Sequence, residues 1–263
     1  MKNEILTHLP PDHPWGQNLY WYDSIPSTNA QAKIIAQTSA PQGTVLLADS
    51  QTAGRGRLGR RFDSQPGAGI YMSVILRPNC PPADLMHLTC AVGVAVCDAV
   101  ADTVGFRPGI KWINDLVANG KKLGGILTEL IIEDGLVCCA VVGIGINCSQ
   151  KPEDFPPELQ SIACSLSSVT GAAVNRAELA ASMILRLEQL SQQLQHREAL
   201  MECYRKDCVT IGKDITVIQG DYQRPGQALD VQDDGSLLVQ FVDGTTAVVN
   251  SGEVSVRGLF GYT

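Results

Sequence analysis

KLGGILTELIIE (residues 122–133) and LVCCAVVGIGIN (residues 136–147) are two apolar runs joined by Asp134 and Gly135. An Asp-Gly pair between such runs is typical of a two-residue β-hairpin turn, because both of its residues readily adopt positive φ. The pattern therefore predicts a long antiparallel hairpin. Shorter apolar runs predict three further strands, at residues 19–24, 44–50 and 70–78.

Helices are predicted before and after these strands. Thr28, three residues before Gln31, fits a capping box that starts a helix ending near residue 38. A mostly apolar pattern over residues 82–104 predicts a long helix buried against the sheet. Asn175 opens a second capping signature, after which apolar residues recur at steps of three and four, as in an amphipathic helix.

The residue pattern of the chain changes after about residue 211. Short strand-like runs separated by glycine-containing turns continue to the end, and they predict a small β-barrel. At the other end, residues 1–18 are polar and proline-rich and are predicted to be a tail. The expected organisation is a tail (1–18), a main α+β domain (19–209) and a C-terminal barrel domain (210–263).

The charge of the chain is unevenly distributed. Its 263 residues include 20 basic and 27 acidic ones, a net charge of −7. Such an acidic surface argues against nucleic acid or an anionic membrane as the partner. Yet Arg55, Arg57, Arg60 and Arg61 lie together in GRGRLGRR (54–61), and without them 16 basic residues face 27 acidic ones, a balance of −11. Because arginine offers fixed, forked donors, this loop predicts a local oxyanion site.

Other features bear on the compartment and on metals. The nine cysteines are scattered and form no CxxC pair, and the four histidines show no metal-ligand spacing. The N-terminal residues lack the apolar run of a signal peptide, and no stretch approaches the roughly 18–20 apolar residues of a membrane span. We therefore expect a cytoplasmic protein with reduced, mostly buried thiols and no structural zinc.

The glycines of the arginine-rich stretch, Gly54, Gly56 and Gly59, match GxGxxG, but their context does not suit a dinucleotide fold. That fingerprint should open a helix and be followed by an acidic residue about 20 positions later. Here RRFDSQPGAG (60–69) has the composition of a loop. HRD and DFG tripeptides are absent as well, which argues against a protein kinase. A nicotinamide oxidoreductase is therefore disfavoured.

A second cluster of polar residues follows in KWIND and KKLGG. Lys111, Asn114, Asp115 and Lys122 lie near glycines, where backbone can approach a ligand, and they fit the handling of phosphate and Mg²⁺. Taken alone, the stretch 119–122 is more often just an exposed hairpin turn.

A third cluster is GIGIN (143–147), whose two glycines would let backbone and Asn147 meet a planar ring. The alternative for this cluster is a tight packing site within a strand.

Together and in this order, six segments resemble the biotin protein ligase family. They are STN (27–29), QTAGRGRLGR (51–60), KWIND (111–115), KKLGGILTE (121–129), GIGIN (143–147) and FPPELQSIACSL (155–166). The resemblance covers roughly residues 20–262. It implies a mixed β-sheet with flanking helices, as in class II aminoacyl-tRNA synthetases and biotinyl-lipoyl ligases, plus a small C-terminal SH3-like barrel. Regulatory members of the family carry an N-terminal DNA-binding domain, and this chain is expected to be the single-function form.

The resemblance implies a two-step ligase. The biotin carboxylate attacks the α-phosphorus of ATP, which gives biotinyl-5′-AMP and pyrophosphate. A lysine of a biotin carboxyl carrier domain then attacks the mixed anhydride and expels AMP. Mg²⁺ is the implied metal, and dimerisation through an edge strand is common in the family. Neither the carrier nor a base for the acceptor lysine is indicated.

The same resemblance implies roles for individual residues. The implied biotin-binding residues are Ser27, Thr28, Asn29, Gln51, Arg55, Gly56, Arg57, Lys122 and Gly125. The implied ATP- and adenylate-binding residues are Arg57, Phe62, Lys111, Asn114, Asp115, Lys122 and Asn147. Lys122, Arg57 and Asp115 are the expected catalytic residues, with Lys122 stabilising charge in the transition state and Asp115 holding Mg²⁺.

Two positions depart from the family pattern. Ile113 replaces the proline of the common KWPND, and Phe62 replaces a frequent tryptophan, which reduces the stacking area available to adenine. The arginine loop (residues 54–69) contains five glycines and is expected to be mobile without ligand and to close over the adenylate.

Two alternatives to a biotin ligase remain at this point. A lipoate or octanoate ligase of the same fold would keep the lysine but is not expected to show GRGRxG. A non-catalytic biotin-sensing regulator would need a surface for nucleic acid, which the charge of −11 outside the arginine stretch disfavours.

Overall fold

The computed structural model describes residues 1–250 and 254–258, and its main sheet has seven strands. They are β1 (Leu19–Tyr22), β2 (Thr44–Ala48), β3 (Gly69–Leu76), β4 (Gly109–Lys111), β5 (Asp115–Ala118), β6 (Lys121–Glu133) and β7 (Leu136–Asn147). Their spatial order is β1-β2-β3-β7-β6-β5-β4. Only the β1–β2 pair is parallel, so the sheet is mixed, as expected.

The predicted hairpin forms the centre of this sheet. β6 and β7 are joined by Asp134 and Gly135, whose φ angles of 50° and 79° are those of the expected tight turn. β7 is buried on both faces: Val141 packs in one apolar cluster and Val142 in the other. Since both faces of the sheet are apolar, helices must cover both of them.

Seven helices lie among the described residues. They are α1 (Lys2–Thr7), α2 (Pro14–Gln17), α3 (Thr28–Ala36), α4 (Leu88–Val104), α5 (Leu166–Thr170), α6 (Arg176–Ser191) and α7 (Arg197–Asp207). α3 covers one face, where Ala32 and Ala36 pack on Leu46 and Ile75. α4 and α6 pack together on the other face.

The predicted long apolar helix is present with one interruption. Residues 82–104 begin with a short 3-10 turn, Pro82–Leu85, before α4 starts at Leu88. Contrary to the expectation that no stretch approaches a membrane span, this segment is long and apolar enough to cross one by composition alone, but 72% of its most apolar window is buried inside the fold. Its apolar surface therefore belongs to the core.

The N-terminal residues are not a tail, contrary to the sequence-based expectation. Residues 1–18 contain α1 and α2, and α1 packs against α6. Ile5 is fully buried and Trp15 is almost so, which anchors the segment to the main core. The prediction was wrong because these few apolar side chains are scattered among prolines and polar residues and show no periodicity.

The C-terminal residues form a second, antiparallel sheet. Its strands are β8 (Asp214–Gln219), β9 (Tyr222–Val231), β10 (Leu237–Phe241), β11 (Thr246–Val249) and β12 (Val254–Gly258), in the order β11-β10-β9-β8-β12. This arrangement agrees with the expected SH3-like domain. Residues 251–253 and 259–263 of the predicted domain lie outside the described residues.

The small domain touches the main domain next to KWIND. The indole Nε1 of Trp112 donates to the backbone oxygen of Gly235, at 2.9 Å. The backbone nitrogen of Trp112 donates to Thr210 Oγ1, also at 2.9 Å. These two bonds hold the residue that directly follows Lys111.

Candidate active site

The site begins at the N-terminus of α3. Ser27 is the capping residue: its backbone is extended, and its Oγ accepts from the backbone nitrogen of Ala30 at 3.4 Å. The capping box predicted at Thr28 is therefore wrong by one residue. Thr28 is instead the first residue of the helix, and its N–H, which has no partner within a helix, donates to Gln51 Oε1 at 2.8 Å.

A cavity of about 510 Å³ opens beside this helix end. Its volume lies in the range of sites for small organic ligands. Every binding or catalytic residue implied by the family resemblance lines it: Ser27, Thr28, Asn29, Gln51, Arg55, Gly56, Arg57, Phe62, Lys111, Asn114, Asp115, Lys122, Gly125 and Asn147. The fold thus brings all fourteen together, while the role of each remains a prediction.

One end of the cavity, the neutral end (Ser27, Thr28, Asn29 and Gln51), is a network of uncharged hydrogen-bonding groups. Thr28 Oγ1 lies 3.1 Å from Gln51 Oε1, and Gln51 Nε2 donates to Ser64 Oγ at 2.9 Å. Three of these four residues are buried, and Gln51 is half-buried. Because two or more partners hold the side chains of Thr28, Asn29 and Gln51, this end is organised before a ligand arrives.

The rest of the polar lining is mostly charged. Six cationic side chains line the cavity against two carboxylates: Arg55, Arg57, Arg60, Arg61, Lys111 and Lys122 against Asp63 and Asp115. Five of these charged residues and the neighbouring Asn114 are called the cationic end below: Arg55, Arg57, Lys111, Asn114, Asp115 and Lys122. On a protein with a net charge of −7, this excess of positive charge suits a polyphosphate.

Two contacts organise the cationic end. Lys122 Nζ donates to Asp115 Oδ1 at 2.6 Å, and Arg57 Nη1 donates to Asn114 Oδ1 at 3.0 Å. Burial lowers the pKa of Arg57, an effect opposed by the charge of Asp115. The second contact also ties the arginine loop to the KWIND segment.

Strand register explains why distant segments meet here. Asp115 is paired with Lys111 on β4 and with Gly125 on β6, so the three residues lie side by side across neighbouring strands. Asp115 is therefore the first residue of β5. Asn114 precedes it and donates through Nδ2 to the backbone oxygen of Ile126 at 3.0 Å.

The glycines of GIGIN permit close contacts from protein side chains. A Cβ at Gly143 would overlap with Asn29 Oδ1, and one at Gly145 would lie 2.5 Å from Phe62 Cζ. The planar ring that meets Gly145 in this structure therefore belongs to Phe62. That ring also makes an edge contact with Tyr71, with ring centroids 6.3 Å apart.

Asn147 ends β7 with its amide held at both atoms. Nδ2 donates to the backbone oxygen of Cys164 at 3.0 Å, and Oδ1 accepts from Gln150 Nε2 at 3.4 Å. Burial raises the pKa of the Cys164 thiol to about 11 and that of Cys148 to about 12. Both thiols are thus neutral at physiological pH, which makes them poor nucleophiles.

The residues missed in the sequence are mainly an apolar wall. Phe155, Leu159, Ile162 and Ala163 line the cavity from the segment after β7. That segment is attached to β6, since the backbone nitrogen of Lys122 donates to the oxygen of Ile162 at 2.7 Å. The motif FPPELQSIACSL marked this stretch, but its apolar side chains carried no chemical signal.

Metal-binding groups are sparse in the described part of the chain. No cluster of three or more His, Cys, Asp or Glu residues there could hold a metal ion. The cavity itself contributes the carboxylates of Asp63 and Asp115. This set lacks the ligands of a resident metal centre, but it is compatible with a hydrated ion that arrives with phosphates.

Comparison with known proteins agrees with this geometry. The biotin/lipoate A/B protein ligase family matches residues 21–147. The bifunctional ligase/repressor BirA of Bacillus subtilis is 37% identical over 243 residues, 90% of this chain and 73% of that protein. The biotin–(acetyl-CoA-carboxylase) ligase of Mycobacterium tuberculosis is 37% identical over 237 residues, covering 87% and 85% of the two chains.

A solved structure supports the same relationship. The biotin protein ligase from Aquifex aeolicus in complex with biotin and ATP superimposes with a TM-score of 0.78 at 28% identity. The match covers 92% of this chain and 99% of that one. The sequence identity, the coverage and the shared fold lead to one conclusion: the chain belongs to the biotin/lipoate A/B protein ligase family.

Proposed function

We propose that this chain is an ATP-dependent biotin protein ligase, which forms biotinyl-5′-AMP and transfers biotin to a lysine of a biotin carboxyl carrier domain. The observation that carries the proposal is the pairing of a neutral, hydrogen-bonding end and a cationic end within one cavity of about 510 Å³. Biotin has a small polar ring at one end and a carboxylate at the other. Its two ends match the two ends of the cavity.

The neutral end would bind the ureido ring. Ser27, Thr28, Asn29 and Gln51 supply donors and acceptors in fixed positions, while the apolar wall would bury the rest of the molecule. Gly125 and Gly56 allow backbone to approach along the side of the cavity. The biotin carboxylate would then extend toward Arg57 and Lys122.

At the cationic end, Lys122 would stabilise the charge that develops on the transferring phosphate, and Arg57 would hold the carboxylate and phosphate together. Lys111 and Asn114 would position the remaining phosphates. Closure by the arginine loop, with Arg55 and Phe62, would keep water from the hydrolysable adenylate. Asn147, whose amide orientation is fixed, would face the adenine.

Mg²⁺ is part of this proposal. Asp115 is the carboxylate that would hold it, together with oxygens of the nucleotide, because Mg²⁺ commonly binds through one or two carboxylates plus phosphates. When bound, the ion would neutralise phosphate charge. Asp115→Asn should therefore raise the Mg²⁺ concentration needed for half-maximal adenylation, and an unchanged requirement would remove Asp115 from this role.

A homodimer is also proposed. β5 pairs with β6 only as far as Gly125, so the stretch 127–133 has no strand beside it on that edge among the described residues. Ile132 and Leu130 are exposed there, at 52% and 38%. Light scattering on the parent chain and on Ile132→Glu tests this proposal: it requires a dimer that the substitution weakens.

For localisation we propose the cytoplasm, in agreement with nine cysteines that are all free in the described structure. The acidic surface outside the arginine stretch supports a protein partner in preference to nucleic acid or an anionic membrane.

The decisive experiment is incubation of the chain with ATP, Mg²⁺, biotin and an isolated biotin carboxyl carrier domain, followed by mass spectrometry of the carrier. We expect the carrier to gain the mass of one biotinyl group. A parallel reaction with lipoate or octanoate and a lipoyl domain tests the alternative ligase, and transfer there without biotin transfer would overturn the proposal.

A further inference from the structure

Ser73 lies beneath the neutral end and is not among the residues that line the cavity. It belongs to β3, and its side chain is fully buried. Its Oγ is 2.8 Å from Thr28 Oγ1 and 2.6 Å from Asn29 Oδ1. A buried hydroxyl in an otherwise apolar strand thus joins two of the side chains that face the ligand.

The amide of Asn29 is fixed in one orientation. Its Nδ2 donates to the backbone oxygen of Leu127 at 3.2 Å and to Glu129 Oε2 at 3.1 Å. Lys33 Nζ holds the other oxygen of Glu129 at 2.9 Å. Because both groups beside Nδ2 are acceptors, Oδ1 of Asn29 must point to Ser73, where it can only accept.

The oxygens Gln51 Oε1, Thr28 Oγ1, Ser73 Oγ and Asn29 Oδ1 form a continuous row, which we call the oxygen row. Its three contacts measure 3.1, 2.8 and 2.6 Å. Gln51 Oε1 is an acceptor, because the backbone N–H of Thr28 donates to it. The row therefore ends in an acceptor on each side.

Only two hydroxyl protons, those of Thr28 and Ser73, are available for these three contacts. One contact always lacks a proton, so the row has none to spare for a ligand. If Thr28 donated its proton to a ligand acceptor, a second contact would lose its proton. Thr28 Oγ1 would then lie 3.1 Å from Gln51 Oε1 and 2.8 Å from Ser73 Oγ with no proton in either contact, which brings the lone pairs of buried oxygens together. Thr28 can therefore offer the cavity an acceptor but not a donor.

We infer that Ser73 is a positioning residue that makes the neutral end specific for a ring bearing N–H donors. This inference rests on the proposed function, in which the ligand is biotin and its ureido ring carries two N–H groups. Ser73 acts through Thr28 and Asn29 and does not touch the ligand. Glu129 acts further out, because it holds the amide of Asn29.

The first test is steady-state kinetics of Ser73→Ala. Removal of this hydroxyl frees Thr28 and leaves Asn29 Oδ1 without its donor. We expect the KM for biotin to rise about five- to tenfold while the KM for ATP stays unchanged, which is the effect of losing one buried hydrogen bond. Glu129→Gln should change the same parameter in the same direction by a smaller factor.

A matched control separates positioning from stability. Thr44 is equally buried on the neighbouring strand β2, and its Oγ1 donates to the backbone oxygen of Pro41 at 2.8 Å. Thr44→Val should lower the thermal midpoint without changing the KM for biotin. If it raises this KM as Ser73→Ala does, or if Ser73→Ala raises both KM values equally, Ser73 is merely structural.

The second test measures the chemical preference directly. Two cyclic-carbamate analogues of biotin replace one or the other ureido N–H by oxygen, while desthiobiotin keeps both N–H groups. The parent chain should disfavour at least one carbamate about tenfold or more relative to biotin, because that oxygen faces an acceptor. Ser73→Ala should reduce that ratio severalfold and leave the biotin-to-desthiobiotin ratio unchanged.

The outcomes remain distinguishable. If Ser73→Ala discriminates between biotin and the carbamate analogues as strongly as the parent chain does, the inference is overturned. The biotin ligase assignment then stays intact. A parent chain that forms no biotinyl-5′-AMP overturns the proposed function, and the role of Ser73 in selecting biotin falls with it.

Discussion

The neutral end and the cationic end of the cavity are built in opposite ways. In the neutral end, Thr28 and Asn29 are buried on a helix, and Ser73 and Glu129 support them from two strands. Two of the six residues of the cationic end, Arg55 and Arg57, belong to the arginine loop, in which Leu58 is 56% exposed and has a left-handed φ of 55°. One end is therefore built on regular elements, whereas the other depends in part on a loop.

This difference suggests a division of labour. A preorganised, uncharged network suits recognition of a small ring, because it loses little conformational entropy on binding. A charged loop suits phosphate chemistry followed by closure and release. Substitutions in the two ends should therefore affect different kinetic parameters. If substitutions in both ends changed the same parameter in the following experiments, the division of labour would be contradicted.

The largest effect is expected for Lys122→Gln at the cationic end. The substitution removes the charge that faces the transferring phosphate and deprives Asp115 of its partner at 2.6 Å. Adenylation, measured as pyrophosphate release at saturating biotin and ATP, should slow by about 10²- to 10³-fold, the usual cost of losing one preorganised electrostatic group.

Lys121 is the matched control, because it is the adjacent lysine on β6 and does not line the cavity. Lys121→Gln should retain the rate of the parent. If the two variants lost the same fraction of the adenylation rate, or if the rate of the Lys122 variant stayed within tenfold of the parent rate, Lys122 would not take part in the chemistry.

The next effect is expected for Arg57→Gly. It breaks the link to Asn114 and removes a guanidinium from the adenylate site, so biotinyl-5′-AMP should still form but leave the enzyme about 10- to 100-fold faster. Chromatography of filtered reactions would detect free adenylate. Gln65→Gly, in the same loop but outside the residues that line the cavity, is the control and should release little adenylate. If the Arg57 variant retains the adenylate as tightly as the parent, the loop does not act as a closure through this residue.

Substitutions at two glycines of β7 provide the most direct comparison of the neutral end with the cationic end. Gly143→Ala would displace Asn29 and should raise the KM for biotin about tenfold, in proportion to the loss of one or two hydrogen bonds. Gly145→Ala would displace the ring of Phe62 and should mainly shorten the lifetime of the bound adenylate. These residues are two positions apart, so identical kinetic profiles would show that the ends do not act separately.

The sequence predicted what local patterns determine. The hairpin of β6 and β7 followed from two apolar runs and Asp134–Gly135, and the cationic residues followed from motifs that carry charge or glycine. The neutral residues Ser27, Thr28, Asn29 and Gln51 followed only from the family resemblance. Nonlocal features were not predictable in this way. That Lys111, Asp115 and Gly125 lie side by side depends on strand register across three strands.

Residues that no sequence pattern distinguishes were the second feature that the sequence did not reveal. Ser73 lies in the apolar run IYMSVILRP, where nothing distinguishes it from a buried small residue. Its importance arises only when α3 and β3 bring it against Thr28 and Asn29. Ile5 and Trp15 were missed for a similar reason, since their partners lie far away in the chain.

The smallest effect is expected for Phe62→Trp, at the boundary between the ends. Phe62 packs directly against Gly145, where even a Cβ would lie 2.5 Å from its ring, so the added ring of tryptophan would have to extend away from β7 to increase the stacking area. If this ring covers the adenine, the lifetime of enzyme-bound biotinyl-5′-AMP should increase about two- to fivefold, as expected for a gain of 0.5–1 kcal/mol in aromatic contact. The KM for biotin should not change, because Phe62 belongs to the arginine loop, which is proposed to close over the adenylate and not to bind the ureido ring. If the lifetime of bound biotinyl-5′-AMP stayed constant while the KM for biotin changed, Phe62 would act with the neutral end and not with the cationic end.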